Sequence, residues 1–155
     1  MQDTPTPVQL LTAIAAFLRD QAMPQLSGHT AFHARVAANA IDIVIRQLEA
    51  QPIDDPLELA RLRALLGSGK TPRQSGEDEL RALNRELCGR IADGRLTLDT
   101  PGLADHLWAT TLSKLAVDQP KYESYRRIAA RHIDARHVDA EERIDRNTPE
   151  NKTNE

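Results

Sequence analysis

Between its glycines and prolines, this chain repeats its apolar residues at intervals of three and four, and no segment alternates them in the two-residue rhythm of a strand. Such a pattern commits the chain to helices laid side by side. Pro and Gly divide it into about six segments, several with recognisable ends. The first helix runs from about Pro7, with Thr6 as cap, through Leu11, Ile14, Ala15 and Leu18 to a break at Pro24. The second follows Ser27-Gly28 and is expected to end near Ala50, ahead of Pro52. A third opens with Asp55 as cap, Pro56 in the first turn and Glu58 three residues on, the spacing of a capping box, and stops at Gly67. Residues 67–76 are dense in small and helix-breaking residues and read as a mobile loop. A fourth helix covers about Glu77 to Asp93, ended by Gly94, and a fifth carries Leu103, Leu107, Trp108, Leu112 and Leu115 to about Asp118. The last, from about Lys121, is heavily charged and keeps a thin apolar stripe of Tyr125, Ile128, Ala129 and Ile133, so that its second half is either a solvated face or packs on another copy.

The expectation is a single all-α domain over residues 1–146, a bundle of five or six helices, followed by a disordered tail at 147–155. With 155 residues, 40% of them hydrophobic, the chain can build one core, and with only 3% aromatic residues that core must be Leu, Ile, Val and Ala. A net charge of −3 without a basic stripe argues against nucleic acid as a partner. No apolar run approaches the roughly 18 residues of a membrane span, and no secretory signal pattern opens the chain, which points to the cytoplasm. The single cysteine, Cys88, reads as a small buried hydrophobe on a stripe with Leu80, Leu87 and Ile91.

Ala64 to Thr71 formally fits a phosphate-binding loop ending in Gly69-Lys70-Thr71. That motif needs a strand before it and a helix after it; here a helix precedes and Pro72 follows, so nucleotide binding is not expected. His29 and His33 are four apart, yet His29 sits at the helix start and no carboxylate shares the stripe, so no metal site or other cofactor is expected. His132 and His137 read as surface residues.

Polar residues on apolar stripes are the stronger signal. His33 falls with Val36, Ala37, Ala40 and Val44, Asn84 lies between Leu80, Leu87, Cys88 and Ile91, and Lys114 shares a stripe with Leu103, Leu107 and Thr111. Three helices thus direct a polar group at the expected core. Buried unpaired, such groups are costly, so they either tie helices together by hydrogen bonds or line a pocket between them. The pocket reading makes His33, Arg35, Asn39, Asn84 and Lys114 the ligand-binding candidates. Nothing forms a nucleophile, base and orienter set, so no catalytic residue is assigned.

The segments Ala31–Ala40, Leu83–Ile91 and His106–Tyr122, in that order over about residues 8–126, resemble a family of small bacterial helical proteins classified only as a domain of unknown function. The family carries no established activity. Such proteins tend to be encoded beside aminoglycoside-phosphotransferase-like kinases and acyl-CoA dehydrogenases, so the resemblance implies a non-catalytic accessory or interaction protein with a kinase-like partner. The alternative is a small-ligand-binding protein or enzyme using the pocket around His33, Asn84 and Lys114. Homo-oligomerisation is a further option.

Overall fold

The computed structural model of the chain describes residues 4–67 and 76–130, and every regular element among them is a helix. Thr6 caps the first as expected: its Oγ1 accepts from the Gln9 backbone N–H at 3.2 Å, and the Gln9 side chain accepts from the Thr6 N–H at 2.8 Å. The helix it opens, α1 (Pro7–Phe17), runs into a π-helical turn at Leu18–Ala22 and a 3-10 turn at Met23–Gln25, where the chain reverses.

The break expected at Pro52 does not occur. One helix, α2 (Gly28–Leu66), runs unbroken for 39 residues, about 58 Å at 1.5 Å per residue. Pro52 and Pro56 both lie inside it, and the Asp55-Pro56-Glu58 sequence that resembled a helix start sits in mid-helix. Each interior proline removes one backbone donor and costs about 3 kcal/mol. The spacing of four puts both losses on one side of the helix, and both prolines are exposed there. The helix ends where the sequence said it would, at Gly67, which takes the left-handed conformation (φ 67°) and donates its N–H to the Arg63 carbonyl at 3.0 Å.

Every other helix in this part of the chain packs on α2. Where α1 packs on α2, the less exposed positions are Val8, Leu11, Ala15 and Leu18 on one side and Ala31, Ala34, Ala38, Ile41 and Ile45 on the other, both rows at alternating intervals of three and four. Ala15 and Ala38, 2% and 1% exposed, are the buried centres of this pairing, and their size lets the two backbones approach closely. Arg19 clamps it by donating to the Ala38 carbonyl at 3.2 Å and to the Asp42 carboxylate.

Around the second half of α2 lies the leucine core: Leu62 and Leu66 with Leu83 and Leu87 of α3 (Gly76–Ala92), Leu96 of the connection and Leu103 of α4 (Leu103–Asp118). A two-pronged ion pair from Arg63 to Glu79, at 2.9 and 2.8 Å, fixes α3 to α2, and Arg90 reaches the Leu66 carbonyl at 3.2 Å. Cys88, expected to be buried, is exposed. The reason is that α3 buries a narrow stripe through Leu83 and Leu87 in the leucine core, leaving the next position round the helix in solvent.

By its contacts the chain divides into two units, the first ending at Asp118 and the second beginning at Gln119. In the second, residues 123–130 are helical, with Tyr125, Ile128 and Ala129 partly buried. The rest of the charged helix with His132 and His137, the 147–155 tail, and residues 68–75 with Lys70 and Thr71 lie outside the described residues.

Replacing Pro52 by Ala restores a backbone donor within a helix that already continues through the site. Urea unfolding of Pro52→Ala is expected to show a gain of about 1–3 kcal/mol with unchanged helix content. A loss of stability would mean that the chain needs a break there.

Candidate functional site

Along α4 the positions turned toward α2 are Leu103, His106, Thr110, Ser113 and Val117, at intervals of three, four, three and four. The facing row of α2 is Arg46, Ala50, Asp54, Glu58, Arg61 and Leu65, all partly buried. Two contacts set the pairing antiparallel. Gly102, with no side chain in the way, lies where a Cβ would be 3.6 Å from Leu65, and the Arg46 Nε donates to the Val117 carbonyl at 2.7 Å. Between an apolar start and this charged clasp, the middle of the seam is polar: His106, Thr110 and Ser113 opposite Asp54, Glu58 and Arg61.

His106 is the buried member of this group, 1% exposed, with its Nδ1 unpartnered. Arg61 Nε and Thr110 Oγ1 are likewise buried without hydrogen-bond partners. Burial pushes the His106 pKa below its usual 6.5; the positive charges of Arg61 and Lys114 push the same way, and Glu58 opposes them. The ring is therefore neutral at pH 7. Glu58 accepts from Asn84 Nδ2 at 2.7 Å, and that same nitrogen donates to the Leu80 carbonyl at 3.2 Å. A third helix thus joins the cluster through a neutral amide.

Of the residues expected to line a site, Asn84 alone is placed as foreseen, half-buried and tying α3 to α2. His33 is exposed, which corrects the expectation that it faces the core. Its stripe of Val36, Ala37, Ala40 and Val44 is apolar but points outward, because α1 occupies the neighbouring stripe through Ala31, Ala34 and Ala38. The His33 ring meets that of His29, Nε2 to Nε2 at 3.0 Å, so His29 is held within α2 and is not frayed. Arg35 and Asn39 are also exposed on this half of the helix. About 42 Å of helix axis separates His33 from Arg61, so His33 and Asn84 do not share one pocket. Lys114 is exposed, yet near enough to His106 to be felt electrostatically.

His106 was missed because α4 offers two faces. The Leu103, Leu107, Thr111 and Lys114 row looks the more apolar, yet Leu107 and Trp108 are largely exposed. The unbroken three-four spacing of Leu103, His106, Thr110, Ser113 and Val117 was the signal for the buried row. Near the end of α4, Arg46, Glu49, Ala50, Ala116 and Val117 line an open hollow of about 290 Å³. Among the described residues no three His, Cys, Asp or Glu side chains converge as metal ligands, and no helix is long and apolar enough to cross a membrane.

Residues 24–122 match the family described as a domain of unknown function, DUF6285. The chain belongs to that family. The match begins after α1 and takes in α2, α3 and α4, and with them the whole polar seam. No curated protein and no solved structure matches the chain.

The lowered pKa of His106 has a stability consequence with a definite sign. An unfolded chain binds a proton near pH 6.5 while the folded ring still refuses it, so stability is intact above 6.5 and is lost as pH falls from there through the lowered folded value. Urea unfolding at pH 7.5 and pH 5.5 is expected to show a larger loss for the unaltered protein than for His106→Gln, which cannot titrate. Equal losses would show that the ring takes up its proton as readily in the folded chain as in the unfolded one.

Proposed function

We propose that this member of the DUF6285 family is a non-catalytic interaction protein, one helical domain over residues 1–146 working in the cytoplasm, and that it offers a partner the outer faces of α1 and the first half of α2. The observation that supports this is a double row of large apolar side chains left in solvent. Leu10, Ile14 and Phe17 form the row on α1, and Phe32, Val36, Ile43 and Val44 the row on α2, with Phe32 59% exposed. Since the Ala31, Ala34, Ala38, Ile41 stripe is apolar as well, the first half of α2 is apolar round most of its circumference, the composition of a helix meant to be covered on two sides. Covering the outer side takes a folded surface of matching length. The phosphotransferase-like kinase of acyl-CoA metabolism that the sequence resemblance implies is the partner to try first.

Co-expression with that kinase-like protein, followed by co-purification and a phosphotransfer assay, tests the reading. The wild-type chain is expected to co-purify, and a Phe32→Ser, Val36→Ser variant, altered only at exposed positions and checked for unchanged helicity, to bind at least tenfold more weakly. Failure of the wild type to bind or to change the kinase's activity overturns it. So does a light-scattering mass of two chains that the double variant halves, which would assign the same face to self-association.

The small-ligand alternative loses the His33 pocket on which it rested. What supports it now is the orphaned polar group at the α2–α4 seam, centred on His106.

A further inference from the structure

We propose that the α2–α4 seam binds a small oxyanion, a carboxylate or a phosphate group, on the Nε of Arg61, the hydroxyl of Thr110 and the ring of His106. Three buried polar atoms without partners stand on two facing rows of one helix pair: Arg61 Nε on α2, His106 Nδ1 and Thr110 Oγ1 one helical turn apart on α4. Arg61 Nε is a donor in every state, the Thr110 hydroxyl donates freely, and His106 Nδ1 donates in one neutral tautomer and in the cation. The Thr110 hydroxyl and the neutral His106 ring could also accept, yet no hydrogen bond joins the three as they stand. A group that only accepts can satisfy all three, and an oxyanion with two or three oxygens is such a group.

Arg61 forms no ion pair among the described residues, and Glu58, one turn before it on the same row, takes its hydrogen bond from the neutral Asn84. With Lys114 in electrostatic reach, the charges felt at His106 are Arg61 and Lys114 against Glu58, and Asp54 stands one turn before Glu58 on the same row. An anion favours the protonated ring that burial disfavours, so binding and proton uptake at His106 support each other. The charged groups on the facing elements are Arg61, Glu58 and Asp54 from α2 and Lys114 from α4; α3 contributes the uncharged Asn84.

The test uses the full chain in chloride buffer at constant ionic strength, titrated separately with inorganic phosphate and with acetate. Melting temperature and the His106 ring resonances are followed in the wild type, in Arg61→Met and in Thr110→Val. The expected result is a saturable rise in melting temperature with a shift of the His106 signals, tighter at pH 6 than at pH 8, for at least one anion, and at least a tenfold weaker response in both variants. Phosphate against acetate decides which oxyanion the seam prefers. No saturable response to either anion, as for a seam that holds only water, overturns the proposal, and so does an equal response in the variants, which would mark a general salt effect. Should Arg61→Met fail to fold, Thr110→Val, which keeps the side-chain shape, decides alone. The result does not depend on what docks against α1.

Discussion

The continuity of α2 through Pro52 and Pro56 is the constraint on which the rest of the first unit depends. Among the described residues, the backbones of α1, α3 and α4 each lie along α2 and not along one another, so the register of every helix is set against this one axis. A flexible joint at residue 52 would uncouple the α1 pairing at Ala38 from the leucine core at Leu62. Two interior prolines work against continuity by several kcal/mol in an isolated helix. The packing compensates: α4 spans the proline region, from Arg46 before it to Leu65 beyond it, and so splints the weak segment.

Arginine makes the splint possible. Arg19, Arg46, Arg63 and Arg90 each cross from one helix to another, three of them ending on backbone carbonyls at 3.2, 2.7 and 3.2 Å. A planar, permanently charged donor group at the end of a long apolar stem suits an interior short of aromatic bulk, because the stem fills space along the leucines while the head satisfies an exposed carbonyl. Leu66 and Val117, at the last turns of α2 and α4, are served in this way.

The helices themselves were legible in the sequence, together with Thr6 as cap, the stops at Gly67 and Gly94, and Asn84 as a polar tie. Three things were not. Proline at residue 52 reads locally as a terminator, and only packing beyond the local window keeps the helix going. On the first half of α2, two apolar stripes lie side by side, and sequence spacing alone does not say which one α1 will cover; the choice fell on the alanines because small residues let helices approach. On α4 the same ambiguity hid His106, since the buried row is the more polar of the two and the exposed row the more apolar. In each case the spacing was right and the side was decided by a neighbour.

That reversal divides α2 into halves with opposite needs. Its first half carries more apolar surface than α1 can cover, and its second half carries more polar atoms than α3 and α4 can satisfy. The first imbalance is relieved by extended apolar contact, which a macromolecule provides and a small solute does not. The second is relieved by hydrogen-bond acceptors in a confined space, which a small anion provides and a protein surface does not, because His106 is closed to anything that large. An unpaired seam of this kind also carries a structural benefit, since a polar middle between apolar ends penalises any slip of α4 along α2. Register alone, however, would be served as well by Thr110 and His106 bonded to neighbours. Leaving three buried polar atoms without partners along one seam is what a seam built only for register would avoid, and it is the reason the α2–α4 interface is a better place to look for chemistry than the histidines on the surface.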